Sequence, residues 1–360
     1  MLVHICCAVD SHYFLQKLRE DYPDEKLTGF FYDPNIHPYS EYRLRLLDVQ
    51  RSCDMLGIEL IEGEYDTEGW LEAVRGLENE PEKGARCSVC FDNRFEETAK
   101  QAVSMLEEHF TSTLLTSPKK SLLQLKRAGD ALADKYGLKF HAPDYRKASG
   151  TQEQNQMAKE DALYRQDYCG CLFGLTMQRD QQDKLADELF TPISNQIQPE
   201  SIDARLEMYE RRLKLEEEGK KYQIIKERFL NWRLLFGMLR VRKEVVPAHF
   251  LPYSTIKSTY TRGKMEYSVG EVHHMNRDEV RFITLEHYNV LAETTYKSVT
   301  ELIFSPPSFE SEMEVRSQIV HSPFDLGTIL IVEEIPERKI EIISESKTYS
   351  DVKESLIALD

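Results

Sequence analysis

Cysteine is the residue type whose spacing in this sequence most directly indicates chemistry. Six of the seven cysteines form three close pairs, and all seven lie in the first half of a chain of 360 residues. Disulfide frameworks are typical of small secreted domains, so an odd count and three clusters in a long chain instead indicate thiolates gathered around metal. The pairs are Cys6 with Cys7, Cys87 with Cys90, and Cys169 with Cys171.

The first two pairs each fit more than one explanation. Adjacent Cys6 and Cys7 would point to opposite faces of a strand, so only a turn can aim both at one ion, and two buried small hydrophobic residues are the alternative. Cys87 and Cys90 form a C-x-x-C at the start of a predicted helix, where the helix dipole favours thiolate. A redox-active dithiol or a structural zinc half-site would also explain that spacing.

The third pair, Cys169-Gly170-Cys171, is tighter, because the glycine has no Cβ to keep two sulfurs from one ion. Two packed cysteines at a helix end would have the same spacing. Six thiols exceed the four that one zinc or one cubane cluster requires, so something else must use the excess. Asp10 could supply an oxygen ligand at the same loop, although an ordinary carboxylate at a helix start is its commoner role. Cys53 lies among leucines of a predicted helix, and we assign it to the core.

The elements that must position these thiols alternate between strands and helices. Leu2 to Ile5 is predicted as a strand that runs into the Cys6-Cys7 turn, with Ser11 as N-cap of a helix through about Arg19. Alternation of this kind predicts an α/β fold with a parallel sheet covered by helices on both faces, in which ligands gather at the carboxyl ends of strands. The later predicted elements are strands at 27–32, 58–61 and 110–116, and helices at 41–56, 87–109, 121–136 and 157–164.

Beyond about residue 176 the pattern changes. No cysteine occurs there, a charged stretch with helical spacing covers about 200–242, and strand-like runs lie at 279–285, 328–334 and 339–343 within a strand-rich part at 245–345. We therefore predict a site-bearing domain of residues 1–176 and a C-terminal α+β domain of residues 177–360.

The formal net charge of −16 excludes a protein that holds nucleic acid through a broad basic face. Any RNA contact must therefore be local, and basic spots do lie beside the segments above. The N-terminus has no signal-peptide pattern and no segment resembles a membrane span, so we expect a soluble, cytoplasmic protein with no membrane partner. The basic spots are Arg43 with Arg45, Lys119 with Lys120, and Arg146 with Lys147.

Six segments of the first half carry a common pattern. They are His4-Ile5-Cys6-Cys7-Ala8-Val9-Asp10-Ser11, Phe31-Tyr32-Asp33-Pro34-Asn35-Ile36-His37-Pro38 with Glu41-Tyr42 and Arg45, Arg86-Cys87-Ser88-Val89-Cys90, Thr116-Ser117-Pro118-Lys119, Asp144-Tyr145-Arg146-Lys147, and Ala158-Lys159-Glu160 through Leu163-Tyr164-Arg165-Gln166 to Tyr168-Cys169-Gly170-Cys171. Together these segments resemble one protein family, the QueH type of epoxyqueuosine reductase. The resemblance spans roughly residues 1–175, and its one small departure is Val9, where relatives often have proline.

The resemblance implies a HUP-like fold related to PP-loop enzymes, in which residues 6–11 form a metal-binding loop in place of the phosphate loop. It implies a [4Fe–4S] cluster beside a mononuclear iron, and an oxidoreductase that removes the epoxide oxygen of epoxyqueuosine at the tRNA wobble position to give queuosine and water. The implied partners are tRNAs with GUN anticodons, for Asp, Asn, His and Tyr, and a low-potential electron donor. The implied metal ligands are Cys6, Cys7, Asp10, Cys87, Cys90, Cys169 and Cys171, with Asp10 also catalytic.

Candidate contacts to the nucleoside or the anticodon backbone are less specific. His37 would equally satisfy a loop carbonyl, and the cations beside Asp144 would equally form a solvated charge pair. Tyr164 and Tyr168 could stack on a base or cover the metal site. The candidates are Asn35, His37, Arg43, Arg146 and Lys147.

Two other functions remain alternatives. One is an ATP-dependent tRNA-thiolating enzyme of the PP-loop type with structural zinc, but residues 6–11 contain no glycine to cradle pyrophosphate. The other is a non-catalytic zinc-binding scaffold. We also expect the C-terminal domain to help position tRNA or a protein partner. Lys257, Arg262 and Lys264 around Tyr260 form one candidate patch, for which a solvated loop is the alternative.

Overall fold

The computed structural model describes residues 1–117, 120–147, 149–189, 192–322 and 324–359. Residue contacts divide the chain into two compact units. The N-terminal unit comprises Met1–Leu189, Arg205–Tyr222 and Ala358–Asp360, and the C-terminal unit comprises Phe190–Ala204 and Gln223–Ile357. The N-terminal unit thus contains a segment, 205–222, that lies beyond the boundary predicted at residue 176.

The described residues up to 217 form helices and short strands in alternation. The strands are β1 (Leu2–Ile5), β2 (Thr28–Phe31), β3 (Glu59–Glu62), β4 (His109–Ser112) and β5 (Lys139–Phe140). The helices are α1 (Ala8–Asp21), α2 (Tyr39–Leu56), α3 (Thr67–Ala73), α4 (Ala85–Ser104), α5 (Leu122–Tyr136), α6 (Gly150–Glu160), α7 (Leu172–Gln181) and α8 (Ile202–Glu217), with 3₁₀ turns at Thr113–Thr116 and Asp187–Leu189.

These strands form a parallel sheet in the order β3-β2-β1-β4-β5 within the described residues. The neighbours of β1 are β2 and β4, both parallel to it, and β1 and β2 are buried along their whole length. The strand order reverses at β1, which is where open α/β sheets present their ligand-binding crevice. The sheet flanked by helices confirms the predicted α/β fold class.

Helix α1 begins earlier than the sequence predicted. Cys7 occupies the N-cap position, and Ser11, the predicted cap, already lies inside the helix, where its backbone N–H donates to the Cys7 carbonyl at 3.1 Å. The Cys7 side chain makes no cap hydrogen bond, so the first-turn N–H groups have no side-chain acceptor. Asp10 stands in this first turn. Helix α2 ends as predicted, with Gly57 at φ 61°.

Two predicted helices are wrong in part. The helix before Cys169 spans Gly150–Glu160 and not 157–164, since Ala162 takes φ 49° and ends it. The predicted helix at 200–242 ends at Glu217, with Gly219 at φ 66°, and a long strand follows from Tyr222 to Val241. Seven aromatic or β-branched residues favour a strand there, whereas the charge of the stretch suggested a helix. Lys226, Glu227 and Arg228 are exposed on this strand, and Arg233 is buried.

The remaining described residues form the α+β extension that was predicted. Its mixed sheet has the order β10-β11-β12-β13-β8 and its antiparallel sheet the order β7-β6-β14-β9. A search of the described residues finds no helix with the length and apolar character needed to cross a bilayer. The strands are β6 (Tyr222–Val241), β7 (Glu244–Val246), β8 (His249–Phe250), β9 (Tyr260–Gly263), β10 (Met265–Val269), β11 (Val272–Met275), β12 (Arg281–Thr284), β13 (Ile329–Val332) and β14 (Ile340–Ala358), and the helices are α9 (Leu285–Leu291), α10 (Val299–Phe304) and α11 (Phe309–Ile319).

Candidate metal centre

The first cysteine pair lies in the turn between β1 and α1, at the point where the strand order reverses. The Sγ atoms of Cys6 and Cys7 are 3.9 Å apart. One ligand atom from each of Cys6, Cys7 and Asp10 lies within 4.8 Å of the others, and all three residues are buried. Two thiols and a carboxylate at this spacing can surround one metal ion.

Asp10 is oriented by a residue far along the chain. Gln154 on α6 donates from Nε2 to Asp10 Oδ1 at 2.6 Å and to the Val9 carbonyl at 3.3 Å. Burial raises the pKa of Asp10 to about 6, against the lowering by the Gln154 hydrogen bond, Cys7 and nearby cations. No sequence signal marks Gln154 as part of the site, because 144 positions separate it from Asp10.

Cys169, of the third pair, is held beside a buried cation. Lys120 Nζ lies 3.0 Å from Cys169 Sγ, and the Lys120 side chain is only 6% exposed. Burial raises the pKa of Cys169, but the charge and hydrogen bond of Lys120, then Arg94 and Arg45, outweigh burial and bring the pKa below its usual value. This arrangement favours a thiolate. Lys119, predicted with Lys120 as a basic spot, lies outside the described residues.

The remaining thiols belong to the same neighbourhood. Cys90 and Cys171 pack in one small apolar cluster with Trp70, and burial raises the pKa of Cys90 to about 12. Cys87, at the start of α4, accepts from the Lys83 N–H at 3.2 Å.

Two buried cations connect the three pairs. Burial lowers the pKa of Arg94, but Asp33 and then Cys90, Cys6 and Cys169 raise it above its usual range. Burial also lowers the pKa of Lys120, which Cys169 and Cys87 raise. Thiols from all three pairs therefore lie near one of two cations.

The loop that carries Cys169 and Cys171 is fixed by its backbone. Arg45 on α2 donates to the carbonyls of Cys169 and Tyr168, each at 3.1 Å, while its Nε donates to Glu41 at 2.6 Å. Gly170 has φ 100°, and a Cβ there would lie 2.8 Å from Ile36 Cγ1. Glycine is thus required by backbone conformation and by close packing, and not only to let the sulfurs approach.

Cys53 lies apart from these groups. It is fully buried in α2 among core side chains, and burial raises its pKa to about 12. Its environment agrees with the assignment to the core.

A cavity of about 200 Å³ opens beside the thiols. Its walls include Asp10, Lys120 and Gln154, together with Arg94 and Arg165. Cys6 and Cys169 also line it, so a molecule in this cavity would touch the centre. Sequence reasoning singled out Asp10 and the two cysteines, whereas the polar side chains opposite them come from α4, α6 and the loops.

The predicted substrate contacts do not line this cavity. Asn35 is buried, and His37 donates from Nδ1 to the Asn35 carbonyl at 3.2 Å. Arg146 binds the carbonyls of Ser117 and Lys120, at 3.2 and 3.1 Å. Arg43 is exposed on α2, and Lys147 is exposed 4.0 Å from Asp144.

The two tyrosines before the third pair are committed to the protein interior. Tyr164 donates to Glu41 at 2.8 Å and Tyr168 to the His37 carbonyl at 2.6 Å, and both are buried. Tyr164 does not line the cavity beside the thiols, whereas Tyr168 does. The choice between stacking on a base and covering the metal site therefore stays open for Tyr168.

A family model for epoxyqueuosine reductase QueH matches residues 1–177. The epoxyqueuosine reductase QueH of Helicobacter pylori is 38% identical over 352 residues, which are 94% of this chain and 95% of that protein. The chain belongs to the epoxyqueuosine reductase QueH family. This confirms the family and the enzyme class, an oxidoreductase, that the sequence motifs predicted.

Several other members of the QueH family match about half of this chain. The epoxyqueuosine reductase QueH of Thermotoga maritima is 35% identical over 189 residues, which are 52% of this chain but 95% of that protein. A solved structure of a predicted tRNA methyltransferase subunit from Methanocaldococcus jannaschii covers 53% of this chain and 92% of its own, with 13% identity and a TM-score of 0.33. An overlap of that size supports no inference.

Proposed function

We propose that the chain reduces epoxyqueuosine to queuosine at the wobble position of tRNA, in the cytoplasm, with a [4Fe–4S] cluster and an adjacent iron ion. The observation that carries this proposal is the meeting of Cys6, Cys7 and Asp10 at the switch point of the sheet, beside a cavity lined by Cys169. Thiolates are the usual ligands of iron–sulfur clusters, and a carboxylate suits a separate iron ion.

The surroundings of the thiols fit such a group. Arg94 Nε is a buried N–H donor without a partner in the described part of the chain. Burial raises the pKa of Cys90, and the charge of Arg94 partly offsets that rise. Because an unsatisfied buried donor is costly, a sulfide or thiolate acceptor at this point would account for Arg94 Nε.

When bound, this group would supply two electrons singly at low potential and an electron-accepting site for the epoxide oxygen. The chain's own residues prepare the place for it. Gln154 fixes the direction of Asp10, Lys120 offsets the charge of Cys169, and Arg45 holds the loop that carries that cysteine. Cys6, Cys7 and Asp10 are themselves buried, so bulk water has little access to them.

The tRNA is proposed to approach this cavity with the wobble nucleoside turned out of its stack, because a cavity of about 200 Å³ admits a nucleoside and not a helix. Exposed Arg43 and Lys147 remain candidates for backbone phosphates, and Asn35, His37 and Arg146 for shaping the entrance. We expect the GUN-anticodon tRNAs as substrates and a low-potential donor of electrons. The ATP-dependent thiolation alternative is disfavoured, since thiols occupy the loop where phosphate would bind.

The test is anaerobic purification, iron and sulfide analysis with an absorption spectrum, and turnover of epoxyqueuosine-containing tRNA. Cys169→Ser should lose most bound iron and sulfide, whereas Cys53→Ser should retain both, because Cys53 lies in the core. Asp10→Ala should keep much of the cluster absorption while turnover falls by about 10²-fold or more, since its proposed partner is the separate iron.

Stoichiometric zinc without iron in the parent would refute the cofactor, and queuosine formation near the parent rate in Asp10→Ala would refute the role of that carboxylate. Equal iron losses in the Cys169 and Cys53 variants would contradict the assignment of Cys169 to the metal centre and of Cys53 to the core.

A further inference from the structure

The C-terminal unit contains a cavity of its own, of about 210 Å³, formed between β6, β8, α10, α11 and the segment at 193–198. Its walls are largely apolar and include Trp232, Phe250, Ile303 and Pro306. An engineered cavity of ~150 Å³ holds benzene, so this one has room for a bicyclic ring. Neither the metal centre nor the family motifs use any of these residues.

One end of the cavity is polar and built from buried groups. Glu312 on α11 has a side chain only 1% exposed, and its Oε1 lies 2.5 Å from His249 Nε2. Gln196 donates from Nε2 to Glu312 Oε2 at 2.9 Å, and Gln198 donates from Nε2 to Gln196 Oε1 at 2.8 Å. Tyr288 completes the set, with its hydroxyl donating to Glu312 Oε1 at 3.4 Å.

The groups left over at this end are acceptors. A carboxylate only accepts, so His249 Nε2 carries the hydrogen and Nδ1 of the neutral ring is an acceptor. Within the described residues neither His249 Nδ1 nor Gln198 Oε1 makes a hydrogen bond, and Glu312 Oε2 retains a lone pair. A ligand that satisfies this end must therefore present hydrogen-bond donors, either N–H or O–H.

The charge of the residues that line the cavity further limits the class of ligand. No lysine or arginine occurs among the described residues that line the cavity. Phosphate or carboxylate would be desolvated there without a cation, which is strongly unfavourable. A flat, uncharged ring with apolar faces and an amino-bearing edge meets all of these conditions.

We propose that this cavity binds a purine or pyrimidine base that carries an exocyclic amino group. The base would lie between the apolar walls and donate its N–H groups to the end formed by Glu312, His249 and Gln198. The proposed function suggests an unstacked base of tRNA as the source, so this assignment of the source rests on the proposed function. The assignment of the ligand class rests only on the side chains that line the cavity.

Equilibrium dialysis of the full-length chain with guanosine, adenosine, cytidine and uridine tests this site. The amino-bearing nucleosides should saturate one site, and uridine, which offers a single N–H at its edge, should bind at least about tenfold more weakly. Glu312→Gln should weaken binding by about tenfold or more. Ala248→Leu should do the same by filling the cavity, without removing any polar group.

Glu314→Gln is the matched control, since Glu314 is an exposed residue two positions along the same helix. It should bind as the parent does. Absence of saturable binding by every amino-bearing nucleoside, or equal affinity in the parent and Ala248→Leu, would overturn the proposal.

Full-length tRNA distinguishes the two sources of a base. Weaker tRNA binding by Ala248→Leu assigns the cavity to an RNA base, whereas loss of nucleoside binding alone assigns it to a free nucleoside, and the site stands in both cases. Reduction of an epoxyqueuosine anticodon stem–loop is measured separately. A chain that lacked this activity but bound guanosine would contradict the proposed function and leave the cavity's ligand intact.

Discussion

The metal centre of the N-terminal unit and the cavity of the C-terminal unit bury polar groups in opposite ways. Around the thiols of the N-terminal unit, buried arginines are paired with carboxylates, as in Arg94 with Asp33 and Arg45 with Glu41. In the cavity of the C-terminal unit a single buried carboxylate is surrounded by amides, an imidazole and a hydroxyl. Cations beside thiolates suit a metal centre, while their absence suits an uncharged ligand.

The comparison of the two units also distinguishes the part of the chain that a shorter relative matches from the part beyond it. The Thermotoga maritima relative matches over 95% of its own length with about half of this chain. Yet the added half does not form one unit by itself, because residues 205–222 belong to the N-terminal unit. The extension has therefore given the site-bearing unit a further helix, most of α8.

The largest effect is expected where α8 meets that unit. Arg212 donates to Asp48 at 2.5 Å and to the Ala162 carbonyl at 2.8 Å, and neither side chain of the pair is more than 1% exposed. Arg212→Met leaves the Asp48 carboxylate buried without its cation, so the free energy of unfolding should fall by about 3–5 kcal/mol. Urea denaturation measures this change.

Lys126→Met provides the control, because the Lys126–Asp130 pair is about half exposed and worth only about 0–1 kcal/mol. Asp48 also accepts a hydrogen bond from the Tyr164 N–H at 2.7 Å. Tyr164 lies in the segment just before the loop that carries Cys169. The Arg212 variant should therefore also lose iron. A loss of stability below that of Lys126→Met would show that α8 is not integral to the unit.

Features that depend on local geometry could be predicted from the sequence, whereas features that depend on tertiary contacts could not. Spacing within a few residues revealed the cysteine pairs and the alternation of strands and helices, since both depend on local geometry. Gln154 beside Asp10 and Lys120 beside Cys169 depend on tertiary contacts across 144 and 49 positions, which no local pattern encodes. The same holds for Glu312 and Gln196, 116 positions apart.

The error at β6 has another cause. The charged stretch at about 200–242 suggested a helix, but Lys226, Glu227 and Arg228 within it lie on a strand, where all three side chains are exposed. The periodicity of a long, two-sided strand is weak, and length then favours a helix. Only pairing with β7 and β14 decides the matter.

A smaller effect should distinguish a glycine of the metal centre from one of the C-terminal unit. Gly170→Ala combines the cost of φ 100° with a Cβ 2.8 Å from Ile36 Cγ1, whereas Gly270, at φ 58° in the β10–β11 turn, has no atom near its Cβ position. We expect losses of about 2–3 kcal/mol for Gly170→Ala and about 1 kcal/mol for Gly270→Ala.

Iron content sharpens this second comparison. Only the Gly170 variant should bind less iron, because that glycine sets the loop between Cys169 and Cys171. Denaturation of the two variants, together with iron analysis, checks both parts. Equal iron content would mean that the backbone conformation at Gly170 does not position the thiols.

The smallest effect concerns the C-terminal patch of Lys257, Arg262 and Lys264. All three residues are exposed, and Tyr260 beside them is 47% exposed. Arg262 lies opposite Glu341 in the sheet, with 3.8 Å between Nε and Oε1, so part of its charge is offset before any RNA arrives. Replacing the three cations by glutamine should therefore weaken tRNA binding by less than about tenfold at physiological salt.

Salt dependence separates a phosphate contact from a general loss of charge. Each lost contact should make the negative slope of log K against log salt shallower by about 0.7–0.9, and loss of the partly neutralised Arg262 should contribute least. A control with glutamine at Lys17, Lys100 and Lys135, which are cations on α1, α4 and α5, changes the net charge equally. The patch contacts tRNA only if its variant flattens the slope more than this control does, with iron content and stem–loop reduction unchanged. If both triple variants shift the slope equally, the acidic chain responds only to its net charge, and contacts of the tRNA body must then come from elsewhere.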